Sequence, residues 1–396
     1  MVNLILFDQP LIRQSLLPLT FTRPVALVRL GILTIAEKWE KILLTSASYH
    51  TEKYLSNRFS CVFKKDNLFI NGALCPDTSL IDSINSLQPE QALYKDGQLL
   101  AARTKSKDIS TIESLAKIEH QGSITLIDEV WKIFKLNASE IMADFKLITR
   151  GKTSQPIADN NTIIYGEENV FVEEGAVIRA AIINAENGPV YIGKDAYVHE
   201  GAIIKGSFAL CEGSHVNMGA KIKGDSTIGP FSKVGGEVSN SVIFGFSNKG
   251  HDGFIGNSVI GEWCNLGADT NTSNLKNNYA DVKIWNYAKG GFKNTGEMFC
   301  GLIMGDHSKC GINTMFNTGT VVGVGANIFG SGFPRNFVPS FSWGGSNGFT
   351  TFQLPKVYEV AQKVMERRGT ELTDEDKNIF EQIFQDTAQY RVWEKS

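Results

Sequence analysis

One histidine stands at a break in an otherwise regular pattern of this sequence. His251 lies in the run Ser247-Asn248-Lys249-Gly250-His251-Asp252-Gly253-Phe254-Ile255-Gly256, where a loop can present its imidazole in a groove. A neutral imidazole accepts protons near pH 7, and a general base of this kind contributes about 10² to 10⁴ in rate. His251 is therefore a candidate general base. The alternative is an exposed loop histidine without a role.

Histidine can also bind zinc, which needs about three convergent imidazoles for hydration or hydrolysis. The central part of the chain contains His199, His215, His251 and His307. No two of them are four or five residues apart, and Tyr197, not a second histidine, neighbours His199. The spacing disfavours a zinc enzyme, so no metal site is predicted there.

A six-residue period predicts the elements that position His251. A period of six suits neither an α-helix nor an alternating strand, but it suits a coil whose three short flat sides each give one residue to a central stack. Glycine after the stacked residue, as in Ile192-Gly193 and Ile228-Gly229, fits the tight corners between sides. A parallel β-helix is predicted from this period, which runs through Ile192, Val198, Ile204, Leu210, Val216, Ile222, Ile228 and Val234, then Phe254, Ile260 and Leu266, then Met304, Cys310, Phe316, Val322 and Ile328.

Composition and charge narrow the class of protein. The 396 residues exceed what one core usually holds, and the net charge of -3 gives no electrostatic reason for a nucleic-acid or membrane-surface partner. No apolar run approaches ~18 residues, and the start MVNLILFDQP lacks a basic flank, so neither a membrane span nor a signal peptide is expected. A cytoplasmic protein is expected. The six cysteines form no C-x-x-C pair and are interpreted as reduced small hydrophobes.

Two domains and a carboxy-terminal helical segment are predicted along the chain. Residues 1–150 mix a short apolar strand, Asn3 to Phe7, with a helical pattern from Gly31 to Leu44, which is typical of an α/β domain. The polar stretch Thr149 to Pro156 marks the boundary. The β-helix follows over 157–345, with an insertion near 269–300 that interrupts the period and is expected to cover a substrate groove. Helices are predicted within 350–396, and Thr373 and Asp376 form a capping box for the second.

The segment Leu16-Leu17-Pro18-Leu19-Thr20-Phe21-Thr22-Arg23-Pro24, which follows Arg13, resembles the amino-terminal signature of sugar-1-phosphate nucleotidyltransferases. Arg13 can stand where that family has its arginine, but Asp8 to Ile12 supplies no glycine for close approach to phosphate, and Arg23-Pro24 replaces the family's Pro-Lys. The resemblance implies nucleotide binding through Arg13 and Arg23, with Mg²⁺ as a possible cofactor. The alternative is a degenerate domain that is retained for packing.

The whole layout resembles the bifunctional UDP-N-acetylglucosamine pyrophosphorylase and glucosamine-1-phosphate N-acetyltransferase family, in a variant form with a short amino-terminal domain. The most specific match is Gly250-His251 with Phe254, followed by Asn265-Leu266-Gly267-Ala268. Asp269 replaces a family glycine, and Leu275 replaces a family tyrosine. The hexapeptide acyltransferases to which this family is related have left-handed β-helices, so the resemblance implies that handedness.

The resemblance also implies roles for single residues. His251 would remove the proton from a sugar amine as its nitrogen attacks an acetyl thioester. Asn265 would bind the sugar, and Asn274 would hold the acetyl group. Backbone N–H groups near Gly267 and Ala268 would stabilise the oxyanion. Either Lys249 or Lys283 would neutralise the sugar phosphate, unless both are ordinary solvated lysines.

The function implied by the resemblance is acetyl-CoA-dependent N-acetylation of an amino-sugar 1-phosphate, in particular glucosamine 1-phosphate, by a homotrimer. Nucleotidyl transfer to give UDP-N-acetylglucosamine is a possible second activity. Two alternatives stay open, nucleotidyl transfer alone and an inactive scaffold that binds a sugar nucleotide. The residues distinguish neither glucosamine from galactosamine nor UTP from dTTP.

Overall fold

Two compact units make up the chain in the computed structural model, which describes residues 2–395. The first unit contains the residues up to Leu16, Thr22–Val28 and Leu33–Glu129. The second contains Leu17–Phe21, Arg29–Ile32 and the residues from Val130 onward. The division into domains at 1–150, 157–345 and 350–396 stays a prediction.

The first unit is an α/β structure with one main sheet. Its strands are β1 (Asn3–Phe7), β2 (Ala47–His50), β3 (Asn67–Asn71), β4 (Leu74–Cys75), β5 (Gln91–Lys95), β6 (Gln98–Thr104), β7 (Ala116–Glu119) and β8 (Thr125–Leu126). Six of them form a mixed sheet in the order β2-β1-β3-β6-β5-β7. Its helices are α1 (Pro10–Ser15), α2 (Ile35–Leu43) and α3 (Thr78–Asn85). Helix α2 begins later than its apolar pattern suggested, because Thr34 and Glu37 form a capping box there.

The second unit begins with two helices, α4 (Val130–Lys135) and α5 (Asn137–Thr149). Two short segments from earlier in the chain join this unit. The Gly31 N–H donates to Asn137 Oδ1 at 2.7 Å, and Thr227 Oγ1 donates to the Gly31 carbonyl at 2.7 Å. Gly31 has a φ of +74°, and a Cβ there would lie 2.4 Å from Asp144 Oδ2, so this junction requires glycine.

A long series of short strands follows the two helices. They are β9 (Ile163–Tyr165), β10 (Val170–Val172), β11 (Val177–Ile178), β12 (Ile182–Asn184), β13 (Val190–Ile192), β14 (Tyr197–Val198), β15 (Ile203–Lys205), β16 (Phe208–Leu210), β17 (His215–Val216), β18 (Lys221–Ile222), β19 (Ser226–Ile228), β20 (Lys233–Val234), β21 (Glu237–Ser239), β22 (Val242–Gly245), β23 (Asn248–Lys249), β24 (Phe254–Gly256), β25 (Val259–Glu262), β26 (Asn265–Leu266), β27 (Asn271–Thr272), β28 (Lys283–Asn286), β29 (Gly291–Asn294), β30 (Ile303–Met304), β31 (Lys309–Cys310), β32 (Met315–Phe316), β33 (Val321–Val322), β34 (Asn327–Ile328), β35 (Phe337–Val338), β36 (Ser342–Gly345) and β37 (Gly348–Thr351).

These strands confirm the predicted left-handed parallel β-helix. From β9 to β26, every third strand joins the same face. The three sheets contain nine strands (from β10 to β35), ten strands (from β11 to β37) and six strands (from β9 to β24). Val190 pairs with Phe208, and Phe208 pairs with Ser226. One coil is therefore 18 residues long (208 − 190 and 226 − 208), which is three steps of six. The inward residues form one continuous core from Val170 to Val338.

The predicted stack is wrong at one residue. Phe254 is half-buried, and its neighbour Ile255 is the buried core residue. The coils here are shorter than elsewhere: Val234 pairs with Lys249, a step of 15 residues (249 − 234), and Asn248 pairs with Asn265, a step of 17 (265 − 248). The shorter corners shift the phase of the period, so a strict step of six selects the wrong residue of the Phe254-Ile255 pair.

The insertion and the carboxy-terminal residues complete the second unit. Strands β28 and β29 form an antiparallel hairpin whose Trp285 stacks on Phe337, with ring centroids 4.1 Å apart. Helices α6 (Leu354–Glu366) and α7 (Asp374–Asp386) follow the β-helix, and α7 begins at the predicted capping box of Thr373 and Asp376. Short 3-10 helices lie at Val25–Leu27, Lys53–Leu55, Ile109–Ser114, Glu167–Asn169, Ala388–Tyr390 and Val392–Lys395. Within residues 2–395, no helix is both long enough and apolar enough to cross a membrane.

The stack makes a testable contribution to stability. Ile204 is fully buried between Ile183 and Ile222, its partners in the adjacent coils. Ile204→Ala leaves a cavity in a close-packed core, and we expect it to lower the free energy of unfolding by about 2–5 kcal/mol in chemical denaturation. The matched control is Ile203→Ala, because Ile203 points outward and is 47% exposed. An equal loss in both variants would contradict the assignment of Ile204 to the stack.

Candidate active site

The ten-stranded face of the β-helix carries a row of outward polar side chains. In β20, β23, β26 and β31 the first residue points outward and the second points into the core. Strand register therefore aligns Lys233, Asn248, Asn265 and Lys309 across four coils. This row forms the floor of a cleft of about 850 Å³.

Four of the predicted site residues lie together in this cleft. Asn265 is part of the floor of the cleft. The wall of the cleft includes His251, Gly267 and Ala268. The exposed His251 lies in the loop of residues 250–253, between β23 and β24. The structure thus places the candidate base in one cleft with the residue predicted to bind the sugar and the two residues predicted to stabilise the oxyanion.

Neighbouring coils fix the backbone of the loop 250–253. Asn217 Nδ2 donates to the Gly250 carbonyl at 2.7 Å, and the Asp269 N–H donates to the Asp252 carbonyl at 3.1 Å. Gly253 has a φ of +108°, and a Cβ there would lie 2.2 Å from the Thr270 carbonyl oxygen. Only glycine tolerates both constraints, so the loop has a defined path.

The roof of the cleft comes from the carboxy-terminal helices. Val360 and Val364 of α6, with Arg367 and Arg368 just after it, line the cleft opposite the floor. Arg368 Nη2 donates to Asn248 Oδ1 of the floor at 3.4 Å. The sequence prediction gave the covering role to the insertion, but α6 is the element that covers the His251 cleft.

The charged side chains that line the cleft are all cationic: Lys233, Lys309, Arg367 and Arg368. Burial lowers the pKa of Lys309 to about 8. The pKa of Arg368 is also lowered, first by burial and then by the neighbouring Arg367. Clustered cations in a partly desolvated cleft favour an anionic ligand, because a phosphate would supply the missing counter-charge. None of these four residues was predicted from the sequence, because no motif includes them.

Lys249 lies behind the loop and not in the cleft. Its side chain is 1% exposed, and its Nζ donates to the carbonyls of Gly235 (3.4 Å), His251 and Asp252 (2.8 Å). Burial lowers its pKa to about 8, while Asp252 and Asp269 act in the opposite direction. With its ammonium enclosed by backbone carbonyls, Lys249 does not occupy the place predicted for it, beside a sugar phosphate.

Gly267 and Ala268 differ in what their N–H groups can do. The Gly267 N–H donates to the Cys310 carbonyl at 3.0 Å, so it is already used within the β-helix. A Cβ at Gly267 would lie 2.4 Å from the Gly311 carbonyl carbon, which explains the glycine by packing. The Ala268 N–H has no hydrogen-bond partner among residues 2–395. Of the two predicted oxyanion donors, Ala268 is the one whose N–H remains available.

Asn274 and Lys283 lie outside the lining of the His251 cleft. Asn274 Nδ2 donates to Asn257 Oδ1 at 2.8 Å. Lys283 is exposed on β28 of the insertion hairpin. Within one chain, the structure does not bring these two residues to His251, so their predicted roles in binding the acetyl group and the phosphate stay predictions.

The predicted nucleotide-binding residues are in the interior of the first unit. Arg13 is 4% exposed and donates to Asp8 Oδ2 (3.3 Å), the Arg23 carbonyl (3.0 Å) and Tyr54 Oη (2.8 Å). Asp8 also accepts from Thr51 Oγ1 and the Val25 N–H. Burial raises the pKa of Asp8, and the adjacent Arg13 opposes that shift. Arg23 is 5% exposed. Both arginines are thus buried, and Arg13 is engaged in internal contacts.

No group of three or more His, Cys, Asp or Glu side chains within residues 2–395 is arranged to hold a metal ion. His199 Nε2 lies 3.2 Å from His215 Nδ1, and both rings stack with Tyr197. Burial lowers the pKa of both imidazoles.

The six cysteines are free thiols, and five of them are buried.

The chain is similar in sequence to several known proteins. Residues 4–153 match the family described as "Sugar nucleotidyl transferase". Bifunctional protein GlmU of Wigglesworthia glossinidia brevipalpis is 27% identical over 301 residues, which cover 73% of this chain and 53% of that protein. GlmU of Methanococcus aeolicus is 29% identical over 267 residues, covering 66% and 57%. The bifunctional sugar-1-phosphate nucleotidylyltransferase/acetyltransferase of Sulfurisphaera tokodaii is 35% identical over 100 residues, covering 25% and 24%.

The chain spans about half the length of the first of these relatives. A solved structure, the UDP-N-acetylglucosamine acyltransferase of Arabidopsis, is 14% identical with a TM-score of 0.23, covering 53% of this chain and 76% of that one.

Proposed function

This chain is related to the bifunctional GlmU proteins and carries a domain of the sugar nucleotidyl transferase family, and we propose that it is an acetyl-CoA-dependent N-acetyltransferase of an amino-sugar 1-phosphate. The observation that carries this proposal is the cleft of about 850 Å³ in which His251 faces a cationic lining. Both substrates of such a reaction bear phosphate groups, so a cleft of this charge suits them.

The proposed reaction joins an amine to an acetyl group. The amine nitrogen attacks the thioester carbonyl carbon, and His251 takes the proton that the nitrogen loses. The Ala268 N–H can stabilise the oxyanion that forms on the carbonyl oxygen. Collapse of this intermediate breaks the C–S bond, and the proton passes from His251 to the departing thiolate. The products are an amide and free coenzyme A.

The other partners belong to this proposal as predictions. Asn265 on the cleft floor would bind the sugar, while Lys233, Lys309, Arg367 and Arg368 would bind phosphates. Glucosamine 1-phosphate is the preferred amino sugar, and acetyl-CoA is the cosubstrate. A homotrimer and a cytoplasmic location are further predictions. A trimer would be one way to bring Asn274 or Lys283 of one subunit to the cleft of another.

Nucleotidyl transfer is the second candidate function, because residues 4–153 match the sugar nucleotidyl transferase family. The buried Arg13 and Arg23 would have to leave the interior before they could bind a nucleotide. Mg²⁺ would be the cofactor of that activity. Pyrophosphate release from UTP or dTTP with a sugar 1-phosphate, in the presence of Mg²⁺, tests for it directly. Tight binding of a sugar nucleotide with neither activity would support the inactive scaffold.

The proposed function is tested by following free thiol released from acetyl-CoA. Glucosamine 1-phosphate, galactosamine 1-phosphate and a blank without sugar are compared at equal protein concentration. We expect sugar-dependent release, with glucosamine 1-phosphate as the better substrate. Release at the rate of the blank with every amino sugar would overturn the proposed function.

A further inference from the structure

Lys249 occupies a core place that the fold otherwise gives to aliphatic residues. It points inward from β23, and its partner in the preceding coil is Val234. The next inward residue on this face is Leu266. Burial of an ammonium group among aliphatic side chains is costly unless every N–H finds an acceptor.

The Lys249 ammonium donates its hydrogen bonds to backbone carbonyls around it. An ammonium has three N–H donors. Here they have three acceptors, the carbonyls of Gly235, His251 and Asp252. Two of these acceptors belong to the loop 250–253, only two and three residues further along the chain. The side chain therefore leaves the strand, runs inside the coil, and holds the loop from its inner side.

The remaining contacts of the loop come from other directions. Asn217 holds the Gly250 carbonyl, and the Glu237 N–H donates to the Gly253 carbonyl at 3.0 Å. The hydrogen bond to the carbonyl of His251 itself comes from Lys249 Nζ. An aliphatic residue at 249 would leave that carbonyl directed toward an apolar core.

We propose that Lys249 is a positioning residue, whose buried ammonium fixes the backbone of His251 so that the imidazole is directed into the cleft. The kinetic part of this inference rests on the proposed acetyl transfer. Its structural part, the ordering of the loop, does not. A misplacement of a catalytic group by about 1 Å can cost about 10²-fold in rate, so a device that fixes one loop has a measurable effect.

Three ionisable groups influence the Lys249 ammonium. Asp252 and Asp269 favour its charged form, as does Cys310, but burial outweighs them. Its pKa of about 8 lies below the ordinary value of 10.5. As pH rises through this region, Lys249 loses one N–H donor and its charge, and the loop loses part of its support.

The test compares Lys249→Met with the wild-type chain by hydrogen exchange and by kinetics. Methionine fills the same core volume without donors. We expect faster amide exchange within residues 250–253, unchanged exchange in the remaining coils, and a kcat reduced about 10- to 100-fold with little change in KM. The matched control is Lys221→Met, since Lys221 is an exposed lysine on β18, in a different sheet of the β-helix. Folded Lys249→Met with wild-type exchange in the loop would overturn the proposal.

Two further measurements cover the case in which Lys249→Met does not fold. Lys249→Gln retains two N–H donors. Its amide exchange rates within residues 250–253 are expected to lie between those of the wild type and those of a chain without any donor at position 249. In the wild-type chain, kcat at saturating substrate should fall above about pH 8, and an unchanged kcat up to pH 9.5 would contradict the role of the ammonium. The KM for the phosphate-bearing substrates is expected to rise in the same range, because Lys309 of the cleft also has a pKa of about 8. Absence of thiol release from the wild type would overturn the proposed function, but the exchange comparison would still decide the role of Lys249.

Discussion

His251→Ala is expected to abolish acetyl transfer. Without the imidazole, no side chain among those lining the cleft is a comparable base at neutral pH, because the ionisable ones are lysines, arginines and the buried Cys264. Loss of a general base typically costs about 10²- to 10⁴-fold in kcat. Thiol release with saturating substrates measures this loss. Because His251 is exposed in its loop, the variant is expected to retain the fold and the oligomeric state of the wild type.

The matched control is His199→Ala, which removes an imidazole from the same face of the β-helix but from outside the cleft lining. It should retain a rate close to that of the wild type. A His251→Ala variant with more than about a tenth of the wild-type rate would remove His251 from the role of base, whatever the control shows.

Arg368→Gln is expected to weaken the binding of a phosphate-bearing substrate. A charge-assisted hydrogen bond contributes about 1.5–3 kcal/mol, which corresponds to a rise in KM of about 10- to 100-fold. The KM values for acetyl-CoA and for the sugar phosphate are measured separately, and at least one should rise. High salt should raise the wild-type KM in the same direction, since it screens the cations.

The control for Arg368 is Arg179→Gln, because Arg179 is an exposed arginine outside the lining of the cleft. Both KM values should stay unchanged in this variant. If Arg368→Gln also leaves both KM values unchanged, the cationic cleft does not bind the phosphates, and the substrates lie elsewhere.

The period of six predicted the β-helix because each flat side contributes one inward residue per step, and that rule holds along most of the coils. It failed where the coils shorten. Phe254 and Ile255 are both apolar, so composition could not show that Ile255 is the inward one. A strict apolar period also could not assign Lys249 to the stack, because a lysine there makes sense only once the acceptors for its ammonium are known.

Closeness in sequence alone did not decide which predicted residues line the cleft, because Lys249 is two residues from His251 and yet points into the core. His251, Asn265, Gly267 and Ala268 lie within two adjacent coils, and they line one cleft. Arg368 comes more than a hundred residues later, and only the packing of α6 on the β-helix brings it to Asn248. Arg13 lies in the motif that predicted nucleotide binding, but the sequence did not show that its guanidinium pairs with the buried Asp8. Its role in nucleotide binding stays a prediction.

The in-register coils also determine how such a chain can change in length during evolution. Adjacent strands lie about 4.7–4.9 Å apart, so adding or removing one whole coil would change the β-helix by about that distance and leave every remaining strand with a partner. The lining of the cleft that belongs to the β-helix begins at Asn217. A change in the number of coils before that point, in whole coils, would therefore remove no residue that lines the cleft.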